Sequence, residues 1–171
     1  LACVAFGAVS GDDFTLKLEK VAGTNDQALV VGSWTADLVQ GWSFGVCHPP
    51  AQASILNGAG ASCAGGIYDS CASALTGCPS IECAQQMLTA KNGAAPDLVY
   101  INVYEGGFTL GLVIHLMQSI TLPATPRFEM MKIKYNLIAA SATVNLCNTL
   151  GSPPTDTVFV VEGNSYSPTT Q

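Results

Sequence analysis

Hydrophobic and polar positions alternate with a period of two along much of this chain. The most regular stretch runs Phe108, Leu110, Leu112, Ile114 and Leu116, with Thr109, Gly111, Val113 and His115 between them. Successive side chains of an extended strand point to opposite faces, so this spacing predicts a strand with one face in a core. Phe14, Leu16 and Leu18 alternate with Thr15, Lys17 and Glu19 in the same way. Residues 129–139 predict a long strand with Met131, Ile133, Tyr135 and Leu137 facing in and Lys132 and Lys134 facing out. In Gly41-Trp42-Ser43-Phe44-Gly45-Val46-Cys47-His48-Pro49-Pro50, the side of Trp42, Phe44, Val46 and His48 is bulky. The side of Gly41, Ser43, Gly45 and Cys47 is nearly bare, a surface another backbone can approach, and the two prolines stop the strand.

Further strands are expected at residues 28–34, 51–56, 97–104, 143–147 and 157–161. Gly23-Thr24-Asn25-Asp26, Glu105-Gly106-Gly107 and Gly151-Ser152-Pro153-Pro154 supply turn chemistry between them. Pro123 and Pro126 mark a connection, and residues 163–171 form a polar tail. Only residues 81–90 read as helical, with Pro79-Ser80 before them and Lys91-Asn92-Gly93 after them. No βαβ rhythm occurs. The fold class is therefore all-β, a jelly-roll β-sandwich of about nine or ten strands. Residues 11–171 form one sandwich domain, and residues 57–95 form a disulfide-rich insertion containing one short helix. The insertion is rich in Gly and Ala, which implies that it depends on its own disulfides rather than on buried apolar surface. Residues 1–10 are a separate apolar arm. Their small or apolar side chains on both strand faces call for cover on both sides.

Composition changes the picture in one respect. Charged residues are 11% of the chain, against roughly 25% in ordinary soluble domains. Such a surface suits a protein covered by copies of itself, by glycan or by a matrix, and equally a low-charge secreted domain. The net charge of −6, with 6 Lys plus Arg, excludes a phosphate-binding stripe and so argues against nucleic acid and anionic membranes. No apolar run is long enough to span a bilayer. The chain begins with Leu1, as expected where a leader has been removed or where the chain is part of a longer precursor.

Seven cysteines without metal-type spacing point to an oxidising compartment, extracellular or cell-surface. Cys63 and Cys71, and Cys78 and Cys83, are close enough in sequence to close local loops. Cys47 and Cys147 sit at strand ends, placed to staple two strands. Cys3 is left over, either buried or paired with another chain. Zinc is the competing reading, but C-x-x-C is absent and the histidines are remote.

Candidate chemistry is sparse. His48 precedes two prolines on a bulky face, which suits a histidine bonded to a loop carbonyl. Ser43 lies on the opposite face, so the two make a poor nucleophile and base. His115 reads as a half-exposed strand residue. Asp97, Glu105, Glu129 and Glu162 fall at strand ends or turns, where solvated carboxylates are the norm. Asp12-Asp13 is the one candidate for a structural Ca²⁺, without an EF-hand loop or RTX repeat, and no cofactor is otherwise expected. Trp34, Trp42, Tyr68, Tyr100, Tyr104 and Tyr166 are candidate sugar-stacking aromatics, but they are scattered. The tail around Ser165 and Thr170 offers hydroxyls for O-linked sugar.

The segment Gly41-Trp42-Ser43-Phe44-Gly45-Val46, running through His48 into Pro49-Pro50, resembles a strand and turn of cohesin-like domains of bacterial surface and secreted proteins. So do Lys134-Tyr135-Asn136 through Asn145-Leu146-Cys147, then Leu150 to Pro154 and Val158 to Gly163. The resemblance implies a nine-stranded jelly-roll sandwich, extracellular and without enzymatic activity, in a family that includes protein-docking modules. The insertion at 57–95 and the arm at 1–10 depart from that pattern, so no partner-binding residues are carried over.

Two functions from different classes follow. In the first, the chain is a non-catalytic structural subunit of an extracellular filament, pilus-like fibre or surface layer. Its partners are copies of itself, joined head-to-tail by strand addition of an arm carrying Leu1, Cys3, Val4, Phe6 and Val9. In the second, it is a monomeric recognition module, cohesin-like or carbohydrate-binding, within a larger surface protein.

Overall fold

The computed structural model describes residues 9–117 and 120–171. A 3-10 turn, Gly11–Asp13, leads into β1 (Phe14–Lys20), β2 (Gln27–Trp34), β3 (Val39–Cys47), β4 (Ala53–Ser54) and β5 (Ile67–Tyr68). Then come α1 (Cys71–Gly77), β6 (Ile81–Cys83), α2 (Gln85–Leu88), β7 (Leu98–Tyr104), β8 (Gly107–Val113) and β9 (Thr125–Lys134). The chain closes with β10 (Asn136–Leu137), β11 (Asn145–Cys147), β12 (Val158–Val161), β13 (Asn164–Tyr166) and β14 (Thr169–Thr170).

The strands form an all-β sandwich. The first sheet has the order β14-β1-β2-β9-β6, and the second has the order β13-β12-β3-β8-β7-β5, with β11 also paired to β3. β4 and β10 make a small separate ribbon. The inward faces are the apolar faces of the alternating pattern, because alternation lets one side of each strand leave water completely. Phe14 stacks on Phe159 with ring centroids 5.1 Å apart. Phe128 packs 5.3 Å from Trp34 and 5.4 Å from Trp42. Phe44 and Phe108 meet edge-on lower in the same core.

β9 differs from the expected strand in two physical details. Val30 opposes Met131 while Val31 opposes Glu129, so Met130 is an extra residue in a bulge. Met130 and Met131 are consequently both buried, and the Glu129 N–H donates to Gln86 Oε1 at 2.6 Å. Nearer its start, Gly32 opposes Phe128 and Trp34 opposes Thr125. Pro126 therefore lies within the strand at a second irregularity, where a residue without an N–H is tolerated. It does not mark the connection expected from the sequence.

The insertion departs most from expectation. Residues 81–90 are not one helix: they divide into β6 and the four-residue α2, while α1 lies earlier, capped by Ser70 accepting from the Ser73 N–H at 3.1 Å. β5 extends the second sheet beside β7, and β6 extends the first beside β9. The insertion thus forms a side wall between the sheets. Ala74, Cys78, Ile81 and Met87 are fully buried in the common core, so disulfides alone do not hold it. The strand expected at 51–56 shortens to β4, and the polar tail supplies β13 and a parallel β14 against β1.

Leu1, Cys3, Val4 and Phe6 of the expected arm lie outside the described residues. Val9 packs against the core of its own chain.

Candidate binding face

Strand pairing arranges the outer face of the second sheet in rows. One row reads Tyr100, Gly111, Ser43 and Val158 across β7, β8, β3 and β12. The next reads Leu98, Val113, Gly41 and Val160. Toward the other end come Asn102, Thr109, Gly45 and Cys147, then Tyr104, Gly107, Cys47 and Asn145. None of these positions carries a charged side chain.

The two ends of the face differ. At one end the Cys47–Cys147 disulfide ties β3 to β11, and Leu150 and Gly151 lie against Gly107 and Tyr104. Thr109 there is only 3% exposed. At the other end Leu98 is 41% exposed and Tyr100 44%, while Ile67 on β5, in the Asn102 row, is 63% exposed. The bare glycines have different causes. A Cβ at Gly45 would stand 2.6 Å from the Cys147 carbonyl oxygen, and one at Gly41 would strike the Leu112 carbonyl. Close approach there comes from neighbouring strands of the same sheet. A Cβ at Gly111 would meet nothing within 4 Å. Gly111 thus leaves an open space beside the Leu98–Tyr100 ridge.

The outer face of the first sheet has the opposite character. Lys17 pairs with Glu19 at 2.6 Å, Arg127 with Glu19 at 2.9 Å and with Glu129 at 3.1 Å, and Lys132 with Glu82 at 2.8 Å. Glu82 and Lys132 are direct cross-strand neighbours, the placement at which opposite charges attract across a sheet. Lys17, then Arg127, holds the Glu19 carboxyl below the usual carboxylate range, and Glu19 and Glu129 raise Arg127 in turn.

Among the described residues, His48 and Ser43 do not form a nucleophile–base pair. His48 is buried against Tyr135, with rings edge-on at 5.4 Å. Its Nδ1 lies 3.5 Å from the Pro49 carbonyl oxygen, and burial lowers its pKa. Burial pushes the Tyr135 phenol up. Ser43 lies on the other face of β3 and donates to the Asp156 carbonyl at 2.6 Å, so it and His48 do not meet. The Asp13 carboxylate accepts from the Ser10 N–H at 2.7 Å and from Thr35 Oγ1 at 2.8 Å, contacts that lower its pKa. Among the described residues, no group of three or more His, Cys, Asp or Glu side chains is arranged to hold a metal. Nor is any helix among them long and apolar enough to cross a membrane. Trp34 and Trp42 belong to the core and are not available to stack on sugar.

The cysteines of the insertion pair as Cys63–Cys78 and Cys71–Cys83, crossing the local pairs suggested by spacing. One cluster escaped the sequence reading. Asp97 accepts from Lys91 Nζ and the Leu116 N–H, and its Oδ2 is 2.9 Å from His115 Nδ1. Lys91, then the Leu116 amide, holds the Asp97 carboxyl below its ordinary range. Equal steps outward from the Glu105–Gly106 turn place Asp97 opposite Ile114, next to His115, so hairpin register was the signal that could have found it.

Neither a protein-family model nor a curated protein sequence matches this chain. Among solved structures, the second type II cohesin module from the cellulosomal adaptor ScaA scaffoldin of Acetivibrio cellulolyticus is similar to it. That likeness covers 95% of this chain and 93% of the module, with a TM-score of 0.53 and 13% sequence identity. It establishes a cohesin-like fold.

Proposed function

From the cohesin-like fold, we propose that this chain is a non-catalytic, extracellular protein-recognition module that binds through the outer face of its second sheet. The observation that carries the reading is the absence of charge from that face. Lys17, Lys20, Arg127, Lys132 and Lys134, five of the six basic residues, lie on β1 and β9 of the other sheet. Charged residues are depleted at the centres of protein interfaces, where aromatic side chains are enriched. Exposed Tyr100, Leu98 and Ile67 on that face, with an open space at Gly111, fit that description. The similar solved structure is a module of a scaffoldin, which supports a binding role, and three disulfides support an oxidising compartment.

The test is capture of an extracellular protein, its identification, and titration of the purified pair. Gly111→Asp should abolish binding, whereas Lys132→Ser on the other sheet should leave it unchanged. Equal binding by both variants would sink the proposal. The filament reading has no comparable support, because most of its arm lies outside the described residues. Deleting residues 1–8 should leave the sedimentation of the chain unchanged if the arm joins no neighbour.

A further inference from the structure

We infer that His115 is a pH-operated latch on the corner that follows β8, at the edge of the uncharged face. Two contacts converge on one atom, His115 Nδ1. The Met117 N–H approaches it at 3.1 Å, and Asp97 Oδ2 lies 2.9 Å from it. The Met117 amide can bond only to a nitrogen whose lone pair is free, whereas the carboxylate can bond only to a nitrogen that carries a proton. No single protonation state satisfies both, so the proton on Nδ1 decides which contact is a hydrogen bond. With the ring neutral and its proton on Nε2, Nδ1 accepts from Met117, and the bare nitrogen and the carboxylate oxygen repel. With the ring protonated, Nδ1–H donates to Asp97 in a charge-assisted bond, and the Met117 amide turns to water.

The surroundings make that choice matter. Ile114, just before the ring, is fully buried, and its N–H donates to the Gln40 carbonyl at 2.9 Å. The Leu116 N–H donates to Asp97 Oδ2 at 3.0 Å, so the carboxylate keeps a partner when the ring is neutral. Leu116 and Met117 are both exposed. Little apolar burial fixes Met117, and its bond to the ring is what holds it. Among the described residues, the charged groups that face His115 are Asp97, before β7, and behind it Lys91, after α2, whose Nζ donates to Asp97 Oδ1. On the β3 side the neighbour is the uncharged Gln40. Asp97 directly precedes Leu98, and His115 lies two residues past Val113, the sheet partner of Leu98. The latch therefore sets how an apolar corner is held beside the proposed binding face, and it does so whether or not that face binds a protein.

NMR spectroscopy of the chain between about pH 8 and pH 5, the range in which histidines titrate, tests this. Long-range nitrogen–proton correlations of the His115 ring should place the proton on Nε2 alone at the alkaline end and on both nitrogens at the acid end. The Met117 amide should shift with the same midpoint as the ring. Its protection from hydrogen exchange, relative to an unstructured amide at the same pH, should fall about fivefold, as expected for the loss of one hydrogen bond. The Ile114 amide should not respond, which separates the latch from general unfolding in acid. His115→Asn should abolish the Met117 response, and His48→Gln should leave it unchanged. A neutral ring with its proton on Nδ1, a Met117 amide that ignores the titration of the ring, or a response that survives His115→Asn overturns the inference.

Discussion

On the outer face of the first sheet, Lys17, Glu19, Arg127, Glu129, Lys132 and Glu82 form a run of alternating charges in contact. On the outer face of the second, the strand positions carry Tyr, Gly, Ser, Val, Asn, Thr and Leu. Both faces belong to one sandwich and cover one core. A sheet face in water needs polar cover, and the first has it in the usual form. The second does without charge and instead ties one end with the Cys47–Cys147 bridge. Low overall charge is therefore not a uniform property of this surface. It is concentrated on one side, the side suited to a protein contact.

Four outcomes would break or sharpen that contrast. The largest concerns the bridge. Replacing Cys47 and Cys147 together by Ser should lower stability by about 2–5 kcal/mol in urea denaturation. An unchanged midpoint would mean that the bridge is not what secures that end of the face. Next, Gly41→Ala should cost about 1–3 kcal/mol by forcing a methyl onto the Leu112 carbonyl. Gly111→Ala on the same face should fall within about 0.5 kcal/mol of wild type. Equal effects would show that the space at Gly111 is not open.

The third outcome is a pH dependence from beneath the second sheet. Burial holds His48 below its ordinary value of 6.5, so below that pH the unfolded chain binds a proton that the native chain resists. Stability attributable to His48 is present above pH 6.5 and falls as the pH drops through and below it. His48→Gln should lessen the slope between about pH 6.5 and 5, where ordinary carboxylates are still ionised. A slope identical to wild type would remove His48 as its source. The smallest effect belongs to the charged face. Glu19→Gln should cost less than about 1 kcal/mol and lose most of that in high salt. A large, salt-independent loss would mean that this face is not merely solvated.

Much of the sandwich was legible in the sequence because alternation reports burial directly. Phe14 and Leu16, Trp42 to Val46 and Phe108 to Ile114 bury the face their spacing indicates, and Leu18 is half-buried beside them. Legibility failed where the local signal was opposed by tertiary pairing. Ile81, Glu82 and Cys83 lie in a helix-like run, yet β9 offers them a free edge. Pro126 reads as a breaker, yet a bulge accommodates it. Met130 and Met131 cannot both face inward under strict alternation, and only the bulge permits it. The contrast between the faces was half visible: the bare side of β3 could be read from Gly41, Ser43 and Gly45. Its openness could not, because Gly41 and Gly45 are closed off by neighbouring backbone and Gly111 is not. Asp97 and His115 meet through hairpin register rather than proximity in sequence.

The crossed pairing of Cys63 with Cys78 and of Cys71 with Cys83, inside the span closed by Cys47 and Cys147, has a consequence for survival among proteases. A single peptide cut anywhere between Cys47 and Cys147 leaves the two fragments covalently joined. With one cut in each interval between Cys63, Cys71, Cys78 and Cys83, all four pieces still hang together through the three bridges. A nicked chain would run as one species on a non-reducing gel and come apart only when a thiol is added. The side wall of the sandwich can thus lose the continuity of its backbone without releasing any part of itself.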